Sequence, residues 1–124
     1  MPERQLPHND STELFSQALA HQSAGRAAAA REAYETVLAT EPQHANALNN
    51  LGILVNSLGQ HAEALALFDR LVAAAPNEAR SHANRGVALR SLGRFADAAL
   101  AYQSALTADP RFDTAHNNLG NLTY

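Results

Sequence analysis

Asn50, Asn84 and Asn118 stand 34 residues apart, and Ser16 holds the same phase one interval earlier. Each asparagine amide carries both a donor and an acceptor, the complement of a peptide unit. Repeated at a constant interval, it suits an extended polypeptide whose backbone repeats the same pair. His82 and His116 are related by the same interval. A zinc-type site would need a third ligand, and none is in evidence, so both read as helix-surface histidines filling one slot of a repeat. Asp69 and Asp97 read as isolated, solvated carboxylates. Asn121-Leu122-Thr123 matches a glycosylation sequon that no secretion signal supports. No nucleophile is spaced against a base, no glycine-rich loop could cradle phosphate, and no carboxylates are paired for acid–base work. These residues argue against an enzyme and call for no metal and no cofactor.

Composition narrows the class further. The chain has 124 residues, with 9 Lys+Arg against 12 Asp+Glu and a formal net charge of -3. Nucleic-acid binding rests on surplus cations, so a nucleic-acid partner is disfavoured. The absence of cysteine excludes disulfides, thiol catalysis and sulfur-ligated zinc. There are 27 alanines, no tryptophan, and only 11 proline and glycine residues together, a balance that leans all-α. Residues 1–10 hold two prolines, three charges and no apolar run, and read as a flexible N-terminal tail without a secretory signal. No stretch approaches the ~20 apolar residues of a membrane span, so no membrane partner is expected and the chain reads as cytoplasmic.

The elements that position the asparagines follow from the repeat itself. Pro42, Pro76 and Pro110 are 34 residues apart, as are Gly25, Gly59 and Gly93, and Gly52, Gly86 and Gly120. Those two series contain every glycine of the chain. Counting position 1 of each unit from Ser11, Ala45, Ala79 and Asp113 gives repeats 11–44, 45–78 and 79–112 and a partial unit, 113–124. The spacing predicts helices over 11–24, 27–40, 45–58, 61–74, 79–92, 95–108 and 113–124. Glycine at position 15 closes the first helix of a unit through its inexpensive positive φ, and proline at position 32 ends the second. Glycine at position 8 lies mid-helix, at a cost of roughly 1 kcal/mol against alanine. Such a cost makes sense if the missing side chain lets a neighbour approach closely.

Leu48, Leu51, Gly52, Ala64, Phe68, Leu71 and Pro76 in the second unit follow the pattern of the tetratricopeptide repeat (TPR) family, which residues 11–124 resemble. The first unit departs, with Gln17 and Ala18 where leucine and glycine belong, and the third carries His82 and Arg85 on its first helix. The resemblance implies an all-α, right-handed α-solenoid of antiparallel helix pairs, three units plus the first helix of a fourth. It also implies that the first helix of each pair lines a concave groove. The groove residues it assigns here are Asn46, Asn49, Asn50, Ser57, Arg80, Asn84, Arg90, Asn117, Asn118 and Asn121. These positions hold no carboxylate, so an acidic protein presents a groove rich in amides with two arginines.

The Asn50, Asn84, Asn118 series is similar to the asparagine ladder in the repeat domain of O-linked N-acetylglucosamine transferase, which holds peptide main chain. The other reading of the series is an asparagine simply common at that position in the family. The two-carboxylate clamp for chaperone C-termini fits poorly, because Phe15, Leu19 and Asn84 break its pattern although Asn50 and Arg80 agree. The resulting expectation is a non-catalytic interaction module that binds an extended peptide along its groove. The alternative is the substrate-presenting repeat region of a larger glycosyltransferase-like or other group-transfer enzyme. The last helix, with Ala115, Leu119, Leu122 and Tyr124, has no following helix over its far side. Leu119 is expected to pack back on the third unit, and the remaining apolar surface predicts a weak homo-oligomer through the terminal helices.

Overall fold

A computed structural model of the chain describes residues 11–121, which form seven helices and no strand. The N-terminal tail and the contributions of Leu122 and Tyr124 to the last helix lie outside the described residues. The helices are α1 (Ser11–Ser23), α2 (Ala27–Thr40), α3 (Ala45–Ser57), α4 (His61–Ala74), α5 (Ala79–Ser91), α6 (Phe95–Ala108) and α7 (Asp113–Asn121). The first six start where the repeat spacing puts them and end there or one residue short. The early endings, at Ser23, Ser57 and Ser91, share one cause. In α3 the Gln60 N–H donates to the Val55 carbonyl at 2.9 Å and the Gly59 N–H to Asn56 at 3.0 Å. This double closure needs a left-handed residue as the first of the two donors, and Gly59 supplies it at φ 86°. The same bonds recur around Gly25 and Gly93.

Glycine at position 8 does what its cost suggested. A Cβ on Gly52 would lie 2.8 Å from Cζ and 2.9 Å from Cδ1 of Phe68, and on Gly86 it would lie 2.9 and 2.8 Å from the same atoms of Tyr102. Each ring of a second helix lies flat on the bare backbone of the first, which fixes the distance between the paired helices. Ala18 replaces this glycine in the first pair and is fully buried in one cluster with Tyr34. That cluster runs through Leu48, Leu51, Val55, Phe68 and Leu71. A second cluster holds Leu89, Tyr102, Ala105 and Ala115, and Leu65 packs against both, so the core is continuous along the stack. Leu119 packs against the second cluster, on the third unit.

The histidines also have structural partners. His82 Nε2 lies 2.6 Å from the Pro76 carbonyl, and His116 Nε2 lies 2.9 Å from that of Pro110. A carbonyl only accepts, so each ring nitrogen donates and ties a first helix to the turn before it. His44 caps α3, its Nδ1 accepting from the Ala47 N–H at 3.1 Å, while its ring lies 5.1 Å from that of Phe15. Among the described residues no three His, Asp or Glu side chains converge as a metal site requires.

Two substitutions test this packing. Gly86→Ala pushes a methyl group into Tyr102 and is expected to destabilise by about 1–3 kcal/mol. Gly120→Ala, with nothing within 4 Å of the added Cβ, is expected to be neutral or stabilising by up to ~1 kcal/mol. Equal losses of thermal stability in the two variants would contradict the glycine–aromatic account. Ser81 offers the opposite test. It is fully buried with an unpartnered Oγ, at the position where the neighbouring units place the equally buried Ala47 and Ala115. Ser81→Ala should therefore raise stability by about 1 kcal/mol, measured by urea unfolding.

Candidate functional site

Among the described residues, the first helices of successive pairs touch one another, α3 against α5 and α5 against α7, while the second helices are further apart. A stack that is tighter along one side curves toward it, so α3, α5 and α7 line the inner face. On the outer side α2 and α4 leave an open cleft of about 380 Å3, floored by Leu38, Leu51 and Leu67. The charges divide along the same line. Neither α3 nor α5 contains an acidic residue, whereas Glu32, Glu35, Glu63, Asp69 and Asp97 all lie on second helices. Three arginines meet these acids: Arg31 bridges Glu35 and Glu63, Arg85 reaches Asp69 at 2.5 Å, and Arg94 pairs with Asp97 at 2.9 Å.

The residues assigned to the groove fall into three groups. Asn46, Ser57, Arg80, Asn117 and Asn121 are exposed, and Arg80 donates to the Asn46 amide oxygen at 3.4 Å, linking neighbouring units. Asn50, Asn84, Arg90 and Asn118 are half-buried. Asn49 differs, since it is 4 % exposed and lies beneath the groove surface. Two exposed aliphatic side chains, Leu19 and Ile53, stand at the same repeat position and add an apolar stripe beside the amides.

Asn49 is the centre of a hydrogen-bonded chain that sequence reasoning missed. Asn84 donates to the Asn49 carbonyl oxygen, Asn49 donates to that of Asn50 at 3.1 Å, and Asn50 donates to the Tyr34 hydroxyl. Tyr34 in turn donates to Gln22. Five side chains from α1, α2, α3 and α5 are thus joined across three units, and the half-buried amides are held in fixed orientations. The sequence signal for it was the alternation Tyr34, Phe68, Tyr102 at one repeat position, where only the tyrosines carry a hydroxyl to be satisfied. Burial pushes both phenols above their ordinary value, opposed at Tyr34 by the Asn50 hydrogen bond and at Tyr102 by the Arg90 charge. Tyr102 is fully buried, and its hydroxyl has no hydrogen-bond partner among the described residues.

A family model for the tetratricopeptide repeat matches residues 15–79, 57–113 and 83–123. The chain belongs to the TPR family. No curated protein matches this TPR chain in sequence. Among solved structures it is similar to the first TPR domain of Spaghetti (RPAP3) bound to an HSP90 peptide, at 19% identity and TM-score 0.86, over 91% of this chain and 90% of that one. It is also similar to MamA from Desulfovibrio magneticus RS-1, at 28% identity and TM-score 0.84, over 92% of this chain and 64% of that one. A third likeness is to the Thermobaculum terrenum O-GlcNAc transferase, at 30% identity and TM-score 0.83, over 98% of this chain and 23% of that one. The TPR chain thus spans less than two thirds of the MamA structure and about a quarter of the transferase.

The raised phenol values have a stability consequence. Below about pH 10 both folded and unfolded chains keep their tyrosine protons, and this contribution to stability is fully present. As pH rises past 10.0, the unfolded chain ionises first, and the contribution is lost as pH climbs through the higher folded values. The melting temperature should fall between pH 9 and 11, and less so in the double variant Tyr34→Phe, Tyr102→Phe. An identical alkaline loss in that variant would assign the effect to other groups.

Proposed function

We propose that this TPR domain is a non-catalytic interaction module that holds an extended peptide segment along its inner face. The observation that carries the reading is the composition of that face: two successive groove helices, α3 and α5, without an acidic residue, lined by amides, two arginines and exposed aliphatic side chains. An extended strand repeats one donor and one acceptor per residue, and amides already oriented by the Asn84–Asn49–Asn50 chain meet it at little entropic cost. The HSP90 peptide bound by the Spaghetti TPR domain supports a peptide as the occupant, since the fold offers the same kind of inner face.

The likeness to the transferase favours a second reading, in which the groove presents a bound segment to a catalytic domain of the same polypeptide. A stop codon directly after the codon for Tyr124 would remove that reading and leave the first intact. The homo-oligomer through the terminal helices belongs here as well, and light scattering that stays at one chain's mass to high micromolar concentration would reject it.

The groove reading is tested by replacing its amides. Asn50 and Asn84 also belong to the internal chain, so each alanine variant is expected to lose about 1–3 kcal/mol of stability by leaving partners unsatisfied. Asn118→Ala and Asn121→Ala, together with Ile53→Ser, avoid that chain. This triple variant should retain the helical circular dichroism spectrum and its thermal transition while losing at least tenfold in capture of peptides. Undiminished capture would move the binding site off the inner face.

A further inference from the structure

Position-by-position comparison of the first and third units uncovers a difference in hydrogen-bond arithmetic. In the first unit the Tyr34 hydroxyl is satisfied from two sides. It donates to Gln22, at position 12 of its own unit, and accepts from Asn50, at position 6 of the next. In the third unit Tyr102 occupies the same place, its ring laid on Gly86, and the corresponding residues are Arg90 and Asn118. Gln22 can accept a hydrogen bond and Arg90 cannot, because a guanidinium has five N–H donors and no acceptor. The Tyr102 hydroxyl is fully buried and has no hydrogen-bond partner among the described residues, and the repeat puts Arg90 where Gln22 meets Tyr34. By that correspondence a phenolic donor on α6 and a guanidinium on α5 face the same place at the α5–α7 end of the groove, and among the described residues no acceptor serves the hydroxyl.

We infer that Arg90 and Tyr102 form a carboxylate-binding subsite, in which one oxygen of an acidic group on the bound peptide accepts from the Tyr102 hydroxyl and from Arg90, with Asn118 at its edge. A carboxylate offers acceptors alone and adds a negative charge, which complements a half-buried arginine without an ion-pair partner among the described residues, on an acid-free helix. The subsite also sets a direction along the groove. The Gln22–Tyr34–Asn50 end is internally satisfied and neutral, while the Arg90–Tyr102–Asn118 end takes the acidic group. The inference rests on the groove reading of the preceding section and adds its chemical preference.

The test uses two degenerate nonapeptide libraries passed over the immobilised 124-residue protein. One is C-terminally amidated and includes Asp and Glu; the other has a free C-terminus and excludes both. Enrichment of Asp or Glu at one register in the first library is expected if the subsite takes a side chain, and loss of the second library's retention on C-terminal amidation if it takes a C-terminus. Either result supports the subsite. Tyr102→Phe keeps the ring on Gly86 and removes only the hydroxyl, so it should fold at least as stably as the parent. It is expected to lose about tenfold in affinity for the recovered acidic peptides and nothing for their neutral counterparts. Arg90→Gln recreates the Gln22 arrangement and should abolish the acidic preference while raising the melting temperature. Retention with neither acidic enrichment nor dependence on a free C-terminus, or a preference unchanged in both variants, overturns the subsite and leaves the groove reading standing. No retention of either library overturns both.

Discussion

The distance between the two helices of each pair governs everything else in this molecule. In the second and third pairs it is set where an aromatic ring from the second helix lies against a residue without a side chain on the first, Phe68 on Gly52 and Tyr102 on Gly86. A mid-helix glycine weakens the helix by itself, and the cost is offset because a whole ring is buried in the space it leaves. The contact also decides where the far end of the ring emerges. A tyrosine there carries its hydroxyl through the helix pair to the groove side, as the bonds from Tyr34 to Gln22 and Asn50 demonstrate. Core packing and groove chemistry are thus joined through a single repeat position.

Charge is distributed so that the two faces do not compete. The acids of the second helices engage Arg31, Arg85 and Arg94 there or at the unit boundary, and Arg70 donates to the Pro42 carbonyl at 3.0 Å. Exposed ion pairs of this kind contribute little individually to stability. Their larger effect is where they leave the uncompensated charge. With no carboxylate on α3 or α5, Arg80 and Arg90 stand among amides, although the chain carries a net charge of -3. Adjacent units are joined on both faces, by Arg31 to Gln60 at 2.7 Å outside and by Asn84 to Asn49 inside, which suits a stack whose cohesion is mainly between neighbours.

The fold was legible in the sequence because its determinants are local and periodic. Gly59 and Pro76 end helices through their own backbone restrictions, and three copies of each signal fix the phase of the rest. The groove was legible only in part. Asn46, Arg80 and Asn118 lie at or near the surface of the inner face, but the spacing that places Asn49 beside Asn50 does not reveal that one points inward and the other sits half-buried. Side-chain direction there depends on α5, which supplies Asn84 as the partner that makes a buried amide tolerable. The histidines illustrate the same limit. Their repetition at one position looked like a slot to be filled, and the carbonyl of the preceding proline, the reason for the slot, is visible only once the turn is folded.

Repetition usually implies equivalence, yet these units differ at the few positions where polar groups must be satisfied. The first two place Tyr34, Gln22, Asn50 and Asn49 so that donors and acceptors match, which stiffens that end of the groove. The third carries Arg90 in place of the glutamine, so the corresponding tyrosine has no hydrogen-bond partner among the described residues, and the asparagine that matches Asn49 there, Asn117, is exposed. A buried donor left in this state is a standing cost in the free protein, of the same kind that Ser81 carries on α5, the other helix of the pair. The two costs differ in prospect. Ser81 is enclosed at a position that neighbouring units fill with buried alanine, whereas Tyr102 shares its unit with the groove cation Arg90. A stack of repeated units thereby gains direction: the polar groups of its inner face are matched at one end and leave an unsatisfied donor at the other.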